Sequence, residues 1–181
     1  CSTLAVIVKQ HPGKFDTIKF IIMSDNNLKY SEAQMLIRKP VSKVFEAFID
    51  PELTKHFWFT EGSGKLDVGK TVTWKWEMYN FSTKVVVKEI LTDKKISIEW
   101  FTTNPPTTVD FYFKTLSDGS TFVTIKHYGF DKTGDELLEV IKDSTGGFTI
   151  VLAGLKAFLE HNIDLNLILD KFPKEIAQHG N

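Results

Sequence analysis

The sequence predicts an α+β domain in which one curved antiparallel sheet wraps around a long helix near the C-terminal end. Short, aromatic-rich segments with a period of two succeed one another from Val72 to Tyr128. Only turn signals separate them, at Thr92-Asp93-Lys94, Asn104-Pro105-Pro106 and Ser117-Asp118-Gly119, so neighbouring strands run antiparallel without crossover helices. Beyond them Phe148, Val151, Leu152, Leu155, Phe158 and Leu159 recur at the three- and four-residue spacing of one helical face. The inner face of the sheet is the natural partner for that stripe.

The elements follow in order. Ser31 to Arg38 alternates Ala33, Met35 and Ile37 against Gln34, Leu36 and Arg38, which predicts the first strand. Pro40 suits the first turn of a helix, where its missing N–H costs nothing, and Val41, Val44, Phe45 and Phe48 give that helix one apolar face. Asp50-Pro51 ends it and starts a second short helix reaching about His56. After Glu61-Gly62-Ser63-Gly64 the period becomes two, with Val72, Trp74, Trp76 and Met78 alternating against Thr73, Lys75 and Glu77. Further strands are expected at Ser82–Ile90, Lys95–Phe101, Thr108–Leu116 and Thr121–Tyr128. A small helix around Asp135–Lys142 precedes Gly146-Gly147 and the long helix.

One domain is expected over residues 28–172, with an N-terminal extension (1–27) and a C-terminal tail (173–181). Residues 1–22 are weakly patterned, and Met23-Ser24-Asp25-Asn26-Asn27 reads like a native start. The stretch before it is therefore expected to be an upstream addition, with a lipid-bearing Cys1 as the rival reading.

Composition narrows the function classes. A chain of 181 residues that is 42% hydrophobic builds one sizeable core. Its 23 acids and 22 bases nearly cancel and form no long basic run, so neither nucleic acid nor an anionic membrane is an expected partner. Leu4 to Val8 is too short to insert into a membrane. A single cysteine, Cys1, excludes an internal disulfide and a cysteine-based zinc cluster, which fits a reducing, cytoplasmic setting.

The run Ile37-Arg38-Lys39-Pro40-Val41-Ser42-Lys43-Val44-Phe45-Glu46-Ala47-Phe48, with Asp50-Pro51 after it, resembles the opening of START-like proteins. The branch it resembles is the one named for the activator of heat-shock-protein ATPase. Gly64 to Trp76, Thr121 to His127 with Gly129-Phe130, and Gly147-Phe148 through Leu155-Lys156 and Leu159-Glu160 continue the likeness, from about Leu28 to Ile163. The resemblance implies a helix-grip fold with a cavity between the sheet and its C-terminal helix. It also implies several functions: binding of lipids and other apolar molecules, a few cyclases and hydrolases, and assistance to a chaperone. Phe148 stands where that branch often carries Trp, which keeps the apolar anchor and removes an indole N–H.

Trp74, Trp76, Ile98, Trp100, Phe111, Phe113, Val123, Ile125 and His127 fall on alternating positions of successive strands. If those positions face inward, they line one concave wall opposite Phe148, Leu152 and Leu155; the alternative is a core packed solid. Buried Trp and His each need a hydrogen-bond partner, so several on one face favour an amphipathic pocket. The expected ligand-binding residues are Trp74, Trp76, Trp100, Phe111, Phe113, His127, Phe148, Leu152 and Leu155, around a small apolar or aromatic molecule. His127 either fixes a polar ligand group, acts as a base, or is a strand histidine satisfied by a neighbour.

Phe57-Trp58-Phe59 reads equally as a cavity entrance and as a plug for one end of the core. Gly64-Lys65-Leu66-Asp67-Val68-Gly69-Lys70-Thr71 matches the phosphate-loop pattern in letters, but an alternating strand follows it where phosphate binding needs a helix N-terminus. No histidine pair has metal-ligand spacing, so no metal and no cofactor is expected. The residues favour ligand binding without catalysis. A chaperone-facing interaction domain and a cyclase or hydrolase acting in the same cavity are the alternatives.

Overall fold

The computed structural model describes residues 29–171 and Pro173. The expected extension and tail, Pro173 apart, lie outside the described residues. Alternation in the sequence becomes seven strands: β1 (Tyr30–Ile37), β2 (Glu61–Gly62), β3 (Thr71–Trp76), β4 (Phe81–Leu91), β5 (Lys95–Trp100), β6 (Thr107–Thr115) and β7 (Thr121–Tyr128). They form one antiparallel sheet in the order β1-β7-β6-β5-β4-β3-β2, open at both edges. A register shift between Val87 and Glu89 bends β4 and adds to the curvature.

Between β1 and β2 lie α1 (Val41–Ile49) and α2 (Pro51–Thr54). Pro40 sits one position earlier than expected, at the N-cap of α1, where its carbonyl accepts from the Lys43 and Val44 amides. Asp50 caps α2 by accepting from the Glu52 N–H at 3.0 Å, with Pro51 in the first turn. The strand expected to run through Met78 stops at Trp76 as β3, because Glu77–Tyr79 form one tight turn of 3₁₀-helix closed by Asn80 in the left-handed region.

The largest departure from expectation is the C-terminal helix. The small helix and the long helix are one continuous element, α3 (Gly134–His161). Gly146-Gly147 does not break it, although each glycine costs a helix interior about 1 kcal/mol relative to alanine. Buried residues on both sides of the pair, Leu137 before it and Phe148, Val151 and Leu152 after it, hold the axis through the weak point. A short α4 (Leu167–Lys171) follows, which the sequence pattern does not announce.

The core fills the concave side of the sheet. Val44, Phe45, Ala47 and Phe48 of α1 and Val151, Leu152 and Leu155 of α3 meet Val109, Phe111, Phe113, Val123 and Ile125 from the strands. Glu160 fastens α3 to the end of β1. Its carboxylate accepts from the Arg38 N–H at 2.7 Å and from the Lys156 ammonium, which also donates to the Leu36 carbonyl. Burial disfavours the charge on Glu160, but these donors outweigh it and hold the group below the usual glutamate range. Among the described residues, no helix is long and apolar enough to cross a membrane.

Gly154 marks the closest approach of α3 to the chain after α2. A Cβ there would lie 3.1 Å from Phe57 Cβ and 3.2 Å from the Phe57 carbonyl oxygen. That backbone is anchored by hydrogen bonds from the Phe57 and Trp58 amides to Thr54, so it yields little. Gly154→Ala is therefore expected to lower the unfolding free energy by about 1 kcal/mol, overpacking outweighing the gain in helix propensity. A urea midpoint equal to or above that of the parent protein contradicts this reading.

Candidate functional site

The expected site residues all come to the concave side, but they divide into two groups. Trp74, Phe111, Leu152 and Leu155 are fully buried in the packed centre, with Phe113 beside them. Trp58 is what fills that centre. Its ring lies 4.8 Å from Trp74, 5.7 Å from Phe148 and 6.0 Å from both Trp100 and Phe111. The Phe57-Trp58-Phe59 triplet is thus the plug rather than an open entrance, each residue being buried. Loop residues lack the periodicity that tells inward from outward, so only the density of aromatic rings in the triplet pointed to this role.

Trp100, His127 and Phe148 instead border open space. A cleft of about 350 Å³ lies between the sheet edge of the plug and α3. Its walls include Trp58, Trp100, His127, Gly147, Phe148 and Val151, with Asp143, Ser144 and Lys171 also lining it. Trp76 borders a second cleft of about 370 Å³, together with Tyr79, Phe81 and Trp100. The covered Trp100 indole N–H has no acceptor among the described residues, an uncompensated donor of the kind that costs about 1–3 kcal/mol.

His127 is held from both sides. Its Nε2 lies 2.7 Å from Thr107 Oγ1, and its Nδ1 lies 2.8 Å from Ser144 Oγ. Ser144 Oγ in turn lies 2.7 Å from Ser31 Oγ. Thr107 donates its own proton to the Trp100 carbonyl at 3.4 Å, which leaves it an acceptor for His127 Nε2–H. This assigns the tautomer: Nδ1 accepts from Ser144, and Ser144 accepts from Ser31. Burial among Trp100, Phe130 and Phe148 lowers the His127 pKa from 6.5 to about 4. The imidazole is neutral, and among the described residues both ring nitrogens meet hydroxyls and not a carboxylate.

His56, by contrast, stacks on Phe158 at 4.4 Å and meets Asp164 at 2.8 Å. Among the described residues, no group of three or more His, Cys, Asp or Glu is placed to hold a metal ion. The phosphate-loop look-alike runs straight into β3 and not into a helix. Its Lys65 pairs with Asp50 and Glu46 and its Lys70 with Asp67, so both ammonium groups serve local ion pairs.

A curved, unclosed sheet of seven strands gripping one long helix, with an aromatic-walled cleft between them, defines a START-like helix-grip domain. The family model described as "Activator of Hsp90 ATPase homolog 1-like protein" matches residues 38–160, and the chain belongs to that family. A crystal structure of a Staphylococcus saprophyticus protein is similar, with 26% identity and a TM-score of 0.66 over 75% of this chain and 95% of that one. The Aha1 dimer from Colwellia psychrerythraea matches with 19% identity and a TM-score of 0.61, over 73% of this chain and 96% of that one. DynU16, from the dynemicin biosynthetic locus, matches with 15% identity and a TM-score of 0.65, over 75% of this chain and 48% of its own. At such identities the last two share the fold. No curated protein matches the chain significantly.

Proposed function

We propose that this domain binds a small apolar or aromatic molecule, without catalysis, in the cleft between its sheet and α3. The observation that carries this is the cleft itself: a space of about 350 Å³ bounded by Trp58, Trp100, Phe148 and Val151, of a size that suits a small ligand. The state of His127 supports binding over chemistry. A base there would have to become charged in an apolar setting, and both ring nitrogens are already engaged by protein hydroxyls. In this reading His127 stiffens the floor of the cleft and Trp100 and Phe148 supply the contact surface. Membership of a ligand-binding superfamily agrees with it.

Gly147 provides the test. A Cβ at this position meets nothing within 4 Å, and the residue lines the cleft. Gly147→Phe therefore puts a ring into the ligand space without a backbone clash, while removing a glycine from a helix interior. The neutral fluorophore N-phenylnaphthylamine serves as probe, followed by its emission, with native mass spectrometry of the gently purified protein beside it. The parent protein is expected to bind the probe, and Gly147→Phe to weaken it at least about tenfold with folding intact. Equal affinity in the two proteins would remove this cleft as the site.

A further inference from the structure

The segment after α3 turns back over the mouth of the site. Asn162, in the left-handed conformation, closes α3, and the chain then runs through residues 163–166 into α4. Ile168 of α4 borders the cleft against α3 and also the cleft beside Trp76. Both clefts have Trp58, Trp100 and Thr102 in common as well. The two apolar clefts thus lie side by side against the same wall residues, and Ile168 is the side chain of the returning segment common to both. Tyr79 fixes it there, its hydroxyl donating to the Ile168 carbonyl at 2.6 Å.

This cover is anchored by Tyr79 at Ile168 and by His56, whose Nδ1 lies 2.8 Å from Asp164 Oδ2, while much of its apolar surface stays exposed. A further space of about 340 Å³ lies between residues 165–169 of the segment and Lys55–Thr60 beneath it. Ile163, Leu165 and Leu169 are 50%, 42% and 39% exposed, so much of the segment's apolar surface gains nothing from the present packing. Elements with few buried contacts open at low cost. The family match ends at residue 160, so the returning segment lies outside the part of the chain that the family model matches.

We propose that residues 162–171 form a strap over a single ligand trough, and that the trough takes an elongated apolar molecule once Ile168 swings away. This rests on the ligand-binding reading above and adds the shape of the ligand and its route of entry. Each cleft alone is near the lower end of ligand-pocket volumes, so joining them favours a longer, rod-like molecule. Binding is then limited by opening of the strap rather than by diffusion.

The full chain, Ile168→Ala and Tyr79→Phe are compared using diphenylhexatriene, a rod-shaped apolar fluorophore, and the compact N-phenylnaphthylamine. Association of diphenylhexatriene is expected to be slow in the parent and about tenfold faster in either variant, because both weaken the closed strap. Acrylamide quenching of tryptophan emission without any ligand supplies a second readout. Tyr79→Phe keeps the apolar contacts of the ring, so a rise of about twofold in its quenching constant reports opening and not a lost side chain. Association rates or quenching in Tyr79→Phe equal to those of the parent would overturn the strap while leaving ligand binding in place. Failure of either probe to bind any of the three proteins counts against ligand binding, and the quenching comparison then decides the strap alone.

Discussion

Trp58→Ala is expected to cost about 4 kcal/mol of unfolding free energy, within the range measured when large buried aromatics are truncated. The ring is 6% exposed and packs against Trp74, Trp100, Phe111 and Phe148, so its removal leaves a hole at the junction of sheet, helix and loop. These neighbours come from different elements and cannot all move inward to close it. Single domains are usually stable by about 5–15 kcal/mol, so one substitution takes a large fraction of the total. Trp58→Phe keeps most of the ring contacts and should lose less than half as much. Urea unfolding followed by far-ultraviolet circular dichroism gives both values. A loss below about 1.5 kcal/mol for the alanine variant would mean that Trp58 covers the core and does not fill it.

The same residue shows where the sequence stops being readable. Strand positions could be read because the sheet has one dry face: along β7 the alternation Val123, Ile125, His127 is buried and the intervening Phe122, Thr124 and Lys126 are less so. Trp58 lies in a connection, where no period exists to give its direction. The direction of the inward set was legible, but which of its members pack solid and which border open space depends on how far one loop ring reaches. That distance is a tertiary quantity. The hydroxyls around His127 were hidden for a related reason. Ser31 and Ser144 are 113 residues apart, and serines of no special pattern become partners only when α3 lies along β1. The Gly146-Gly147 pair misled through a local rule that is sound in isolation, since intrinsic propensity yields when flanking residues are locked in a core.

These facts also connect the stability of the domain to its cleft. The plug, the segment returning after α3 and the histidine network meet around Trp100, which packs near the rings of Trp58, Trp76 and His127 and borders both clefts. Truncating the plug is then expected to disturb binding as well as folding. Filling the cleft through Gly147 should disturb binding alone, because no core contact is removed there.

Lowering the pH from 6.5 to 4 is expected to destabilise the domain by about 3 kcal/mol through His127 alone. The sign follows from which state takes the proton. Burial depresses the folded-state pKa from 6.5 to about 4, so between those values the unfolded chain is protonated at this position and the folded chain is not. Above pH 6.5 both states are neutral and the group has no effect on stability; below pH 4 both bind the proton and the loss reaches its plateau. Glu160, held below the usual glutamate range by its donors, acts in the same direction at lower pH, as its carboxylate is protonated and its stabilisation is lost. The window from pH 6.5 to 4 therefore belongs largely to the histidine. His127→Gln retains an amide that can donate to Thr107 and accept from Ser144, but it does not titrate. Urea midpoints measured across the window should fall steeply for the parent and much less for this variant. Parallel curves for the two proteins would show that His127 is exposed to water in the folded state, and the tautomer assigned to its network would go with it.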